Sequence, residues 1–174
     1  MDKLLEAIER DSIPLIKKLL KHNKYNLNQE VEIGKEYDLD EYDEIPLLFY
    51  LIQTGASLEV IKLLMEHGMD ITHTNKEGLG AIDFAIKYNR FDIIKLCKQS
   101  GISLTKSKRK SGLTPLMLAA SFNDVKLMEF LIKEGADIKE RDKFGMSAID
   151  YAHKLGQKKA AAFLEELNNK SKKE

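Results

Sequence analysis

The chain has 174 residues, of which 43% are hydrophobic and 32% charged, enough apolar material for one domain-sized core and too much for a disordered segment. Its 28 acidic residues balance 28 basic ones, so no global charge draws it to a polyanion. A lone cysteine, Cys97, excludes an internal disulfide and a multi-cysteine zinc site, and no apolar run approaches the length that crosses a bilayer, which points to a soluble cytoplasmic protein.

In chain order, "DKLLEAIERDSIPLIKKLLKHNKYNLN" predicts two short amphipathic helices. An acidic stretch follows, "NQEVEIGKEYDLDEYDEI", in which eight acids between Glu30 and Glu44 meet one base, Lys35, interleaved with Tyr37, Leu39 and Tyr42. "IPLLFYL" and "LEVIKLLMEHGMDI" predict a second helix pair, "GAIDFAI" and "FDIIKLCKQSGISL" a third, with Cys97 as a buried thiol among apolar neighbours. After a basic connection, "TKSKRKSG", come "TPLMLAA" and "VKLMEFLIKEGADI", and "SAIDYAH" with "KLGQKKAAAFLEELNN" closes the series. The basic tail "NNKSKKE" lacks apolar anchors and is expected to fray.

These pairs are copies of one unit. Ile45, Gly80, Thr114 and Ser147 open the first helices at successive spacings of 35, 34 and 33, and Gly68, Gly101 and Gly135 mark the ends of the second helices. The first unit aligns if Asp2 takes the place of Thr114. Neither helix of a pair can cover the other's apolar face alone, so Leu116, Ala119, Leu127, Leu131 and Ile132 must be buried by neighbouring units.

The motifs "GLTPLMLAA" and "EGADI" resemble the TPLHxA start and GAD-type end of the ankyrin repeat family, and the resemblance covers nearly the whole chain. It implies an all-α solenoid of stacked helix-turn-helix units with protruding turn-like loops. The expected domain is 1–168, with units near 1–28, 43–75, 76–109, 110–142 and 143–168, an inserted acidic loop at 29–44 and a tail at 169–174. Thr114 and Ser147 are suited to cap their helices, and Pro115 to the first helical position. The family histidine is missing, with Leu48, Asp83, Met117 and Asp150 in its place. Asp83 and Asp150 suit the positive helix end, and "SAID" forms a short capping box. Ile45 and Gly80 offer no capping oxygen, so the second and third units are expected to begin loosely.

No residue set points to catalysis or to a cofactor. Asp83 and Asp150 lie two units apart, roughly 20 Å at 8 to 10 Å per packed layer, whereas carboxylates sharing a glycoside sit about 5 to 9.5 Å apart. His22, His67, His73 and His153 are scattered and lack the spacing of a zinc pair. In "DLDEYDE" a calcium loop would need glycine where Asp43 stands and glutamate where Phe49 stands. No glycine-rich phosphate loop occurs.

The surface remains. In the ankyrin family partners commonly bind the turn tips and the exposed side of the first helices, which carries over here to Glu41 and Tyr42, Lys76 and Glu77, Lys110 and Ser111, and Lys143 and Phe144. Tyr88, Phe122 and Leu155 share one register at the ends of first helices and form an apolar column, as binding anchors or as shields of the core. The acidic insert adds Tyr37, Asp38, Asp40, Asp43 and Glu44. The expected function is non-enzymatic: a monomer that holds a protein partner, one with a basic surface where it meets the insert. Small bacterial ankyrin proteins with this lysine-, isoleucine- and asparagine-rich style make toxin neutralisation the favoured subtype, and an accessory subunit of an enzyme or effector the alternative. Nucleic-acid binding through Lys106, Lys108, Arg109 and Lys110 is a third reading, opposed by the acidic insert.

Overall fold

Glycine, asparagine and aspartate tolerate the left-handed backbone that a tight turn between two helices demands. In the computed structural model, which describes residues 1–33 and 43–170, five such residues have positive φ between paired helices: Asp11, Gly55, Asn89, Asn123 and Gly156. They join α1 (Asp2–Glu9) to α2 (Ile13–His22), α3 (Leu47–Gln53) to α4 (Leu58–Glu66), α5 (Ala81–Lys87) to α6 (Phe91–Gln99), α7 (Pro115–Ser121) to α8 (Val125–Lys133), and α9 (Ala148–Lys154) to α10 (Lys158–Lys170). The first helices α3, α5, α7 and α9 pack on one another in chain order, and α5, α7 and α9 each lie beside their own second helix.

One continuous core results. Its fully enclosed side chains include Leu4, Ile16, Phe49, Leu51, Ile61, Ile93, Leu116 and Met117, drawn from the first unit through the fourth. Leu131 and Cys97 are also completely buried, and Ile132 packs against the core from its edge. Burial pushes the Cys97 thiol up to about 12, helped by the nearby charge of Asp83, so the group stays protonated and unreactive at neutral pH.

The register of the second unit differs by one residue from the expected one. The residues preceding the first helices are Pro46, Gly80, Thr114 and Ser147, spaced 34, 34 and 33, so Pro46 stands where Ile45 was expected and Phe49, not Leu48, occupies the family histidine's place. Ile45 belongs instead to β2 (Asp43–Pro46), which pairs antiparallel with β1 (Glu30–Ile33), Val31 opposite Ile45. The two ends of the acidic insert are therefore a hairpin stem. Val31 is buried beneath it, and the Leu47 amide donates to the Gln29 carbonyl at 3.0 Å, fastening the start of α3. Among the described residues the solenoid is all-α apart from this stem and an isolated bridge between Thr74 and Gly80.

Helix α5 also begins firmly, against expectation. Gly80 has no side chain to cap with, but its own amide donates to Asp83 Oδ2 at 2.8 Å. At α7 and α9 the expected hydroxyl caps form: Thr114 Oγ1 accepts from the Met117 amide at 3.3 Å, and Ser147 Oγ from the Asp150 amide at 3.5 Å while the Ser147 amide donates to Asp150 Oδ2 at 2.8 Å.

Candidate partner-binding surface

From the second unit to the fifth the chain turns outward between units, and two of these three tips are built by a short side chain that gathers backbone amides. Asn75 Oδ1 accepts from the amides of Glu77 and Leu79, both at 3.0 Å, and Asp142 Oδ1 from those of Phe144 and Met146, both at 2.9 Å. Burial alone would push the Asp142 carboxyl up, but those amides and the Tyr151 hydroxyl, which donates at 2.6 Å, hold it below the ordinary range.

The middle tip has Arg109 at the corresponding position, and a guanidinium cannot accept a hydrogen bond. Ser111 Oγ takes over part of the role, accepting from the Leu113 amide at 3.3 Å. Arg109 instead reaches back to the preceding unit and donates through Nε to Asp83 Oδ1 at 2.7 Å, in a largely enclosed ion pair. The same Asp83 carboxylate thus fastens the start of α5 and holds the tip that leads into the fourth unit. The connection leading to Arg109 presses on the tip before it: a Cβ at Gly78, whose φ is +79°, would lie 2.1 Å from the Lys108 carbonyl oxygen, so no other residue fits there.

The tips are laced into a row. The Lys110 amide donates to the Glu77 carbonyl at 3.1 Å, and the Lys143 amide to the Ser111 carbonyl at 3.0 Å. Along this edge Lys76, Glu77, Lys110 and Lys143 are exposed, Ser111 is half-buried, and Phe144 projects with 74% of its surface free. The Lys110 ammonium lies 3.5 Å from Glu77, so the charges on adjacent tips partly satisfy one another.

The expected column at the opposite end divides. Tyr88 is half-buried and lies 6.2 Å from Phe84, whose ring stacks at 4.2 Å on Phe49, so it closes a line of rings running into the core. Phe122 and Leu155 remain 48% and 52% exposed. Of the acidic insert, Tyr37, Asp38, Asp40, Glu41 and Tyr42 lie outside the described residues; Asp43 and Glu44 belong to β2, and Glu44 is exposed.

The basic turn is largely neutralised. Lys106 pairs with Glu140 at 3.2 Å, Arg109 with Asp83 and Lys110 with Glu77, leaving Lys108 with no carboxylate within salt-bridge distance among the described residues. Beside it, a cavity of about 250 Å³ is lined by His73, Thr74, Ser103, Lys106, Ser107 and Lys108. Its hydroxyls are engaged locally: Ser103 accepts from the Lys106 amide and Ser107 from the Arg109 amide. Asp83 and Asp150 each serve the start of their own helix, and Asp150 pairs at 3.0 Å with Arg141. Among the described residues no three metal-ligating side chains converge, and no helix is long and apolar enough to cross a membrane. Sequence reasoning missed both arginine partners, because Arg109 and Asp83 are 26 residues apart and only the stacking of units joins them.

Helix pairs stacked at a period near 33 residues and crossed by laced tips agree with the family profile described as "Ankyrin repeats (3 copies)", which matches residues 4–108 and 99–173. The chain belongs to the ankyrin repeat family. Among its relatives is the ankyrin repeat protein nuc-2 of Neurospora crassa, 28% identical over 153 residues, or 86% of this chain and 14% of that one. Alpha-latrocrustotoxin-Lt1a of Latrodectus tredecimguttatus is 26% identical over 150 residues, covering 84% and 10% of the two chains. The nuclear factor NF-kappa-B p105 subunit of Gallus gallus is 32% identical over 121 residues, covering 67% and 12%. The ankyrin chain described here thus spans less than a fifth of the length of these relatives.

Proposed function

We propose that this ankyrin array is a non-enzymatic binding module that holds a partner protein along its row of tips. The supporting observation is the row itself: backbone hydrogen bonds between successive tips hold Lys76, Glu77, Lys110, Ser111, Lys143 and Phe144 in fixed relation, with Phe144 projecting as an unburied anchor. An aromatic side chain on a rigid support loses little entropy when it is covered, and such residues dominate many interfaces.

The acidic insert is a second contributor to the same reading. Glu36, Asp38, Asp40, Glu41 and Asp43 steer a basic partner surface, while Tyr37 and Tyr42 hold it after encounter. The module acts as a cytoplasmic monomer. Binding of nucleic acid is disfavoured because three of the four cations in the basic turn already have carboxylate partners. The narrower role of a bacterial immunity protein draws no support from fungal, spider and avian relatives; a toxin gene beside this one would supply it. An accessory-subunit role is the alternative, marked by an enzyme gene in that position.

The test is affinity capture with the intact chain, identification of the bound protein by mass spectrometry, and surface-plasmon kinetics at several salt concentrations. Phe144→Ala should speed dissociation. Neutralising the five acids should slow association and flatten its salt dependence. Rates unchanged in both sets of variants would remove the tips and the insert from recognition.

A further inference from the structure

At the end of the array opposite the tips, successive units are stitched together by polar side chains. Ser57 Oγ donates to Asp11 Oδ1 at 2.7 Å, joining the second unit to the first. Arg90 donates to the Ala56 carbonyl at 2.8 Å, joining the third to the second. Gln157 donates to the Ser121 carbonyl at 2.8 Å, and the Ala160 amide to Asn123 Oδ1 at 2.9 Å, joining the fifth to the fourth.

The junction between the third and fourth units has no such stitch among the described residues. Asp124 stands where Arg90 and Gln157 stand in their units, but its carboxylate turns inward and accepts from the Leu127 amide at 3.0 Å, capping α8. The unsealed seam is a groove of about 600 Å³ with Ile86 and Leu127 among its lining residues and Phe91 and Phe122 beside it, 39% and 48% exposed. Phe91 is held edge-on against Phe130, ring centres 5.1 Å apart, so the groove has a rigid side. Around it lie Lys87, Lys95 and Lys126, all exposed and none paired with a carboxylate among the described residues; the Lys87 and Lys95 ammonium groups sit over the rings of Tyr88 and Phe91.

We infer that this seam between the third and fourth units is a docking groove for a short acidic segment of a partner protein that carries an aromatic or leucine anchor. Two exposed phenylalanines favour an apolar insert, and three unpaired ammonium groups, with the lining carboxylate of Asp124 committed to a helix cap, favour negative charge on either side of it. The inference rests on reading the chain as a protein-binding module, but it assigns a separate face, away from the tips and the insert.

The test titrates the intact chain into a fluorescein-labelled, amidated hexapeptide, Glu-Asp-Phe-Leu-Asp-Glu, following anisotropy and backbone amide shifts. Saturable binding with shifts concentrated at residues 86–91 and 122–127 is expected. Phe122→Ala should weaken it by about tenfold or more with little change in the melting temperature, because the ring is half exposed. Lys87→Glu with Lys126→Glu should do the same and remove the salt dependence. Asp124→Gln, which copies the residue that stitches the next junction, should close the seam and abolish binding while the chain stays folded. Binding that is unaffected by these variants, or shifts confined to the tips, would overturn the groove and leave the tip reading intact. Saturable self-association lost in Phe122→Ala would give the seam to a second copy and overturn the partner segment. Failure of the capture experiment above, with the peptide titration as expected, would remove the tip reading alone.

Discussion

Asp83 shows how one side chain can carry both local and tertiary order. It occupies the position where the family has histidine, fastens the Gly80 amide at the start of its own helix and pairs with Arg109 at the tip leading into the next unit. Removing one member of an enclosed pair leaves the other uncompensated, so Arg109→Ala should cost about 3 kcal/mol, measurable by denaturant melts. Adding Asp83→Asn should recover part of that loss, and a strictly additive double variant would show that the pair is not coupled. Asp142 and Asp150 act through hydrogen bonds from amides and hydroxyls: Asp150 is held low by the Ser147 amide and hydroxyl and by Arg141, Asp142 by Tyr151 and its own tip despite burial. Both folded-state values lie below the ordinary 3.8, so their stabilisation is complete above that pH and is lost as pH falls through the lower values. The melting temperature should therefore drop below about pH 4, and less steeply in Asp142→Asn with Asp150→Asn.

The element that departs most from a repeating pattern is the hairpin stem. An extension of this length, placed between the first and second units, could have left the solenoid as a free loop; instead β1 and β2 pair, Val31 turns into the core and the Gln29 carbonyl receives the first amide of α3. The stem is thus part of the second unit's foundation. Val31→Ala should cost about 2 kcal/mol by thermal or denaturant unfolding, through lost burial and the gap left behind. A cost below about 0.5 kcal/mol, the range of surface substitutions, would mean that the stem merely rests on the array.

Across the molecule, the stability of stacked units lies as much in their interfaces as in the units themselves. Leu131 is fully buried in α8, within the unit that touches both the third and the fifth. Leu131→Ala should cost about 2 to 5 kcal/mol, and unfolding should begin to spread across units instead of remaining one transition. Hydrogen exchange would reveal that spread as earlier loss of protection in α8 to α10 than in α3 to α6.

Repetition made the architecture legible in the sequence: the period, the helix-ending glycines Gly68, Gly101 and Gly135 with their positive φ, the hydroxyl caps of Thr114 and Ser147 and the burial of Leu131 and Cys97 all follow from local chemistry repeated at fixed spacing. The tip positions could be read the same way, since a tip is placed by counting from its helix. Tertiary structure decided what no single unit contains. It moved the second unit's start from Ile45 to Pro46, because strand pairing with Val31 claimed Ile45. It joined Arg109 to Asp83 across 26 residues, turned Tyr88 toward Phe84 while leaving Phe122 exposed, and, among the described residues, left the junction of the third and fourth units without a polar stitch at the end opposite the tips. Local signals fix a residue's place within a unit, but pairing between units depends on which side chains stacking brings within a few ångströms, and that distance is not written in the spacing of either partner alone.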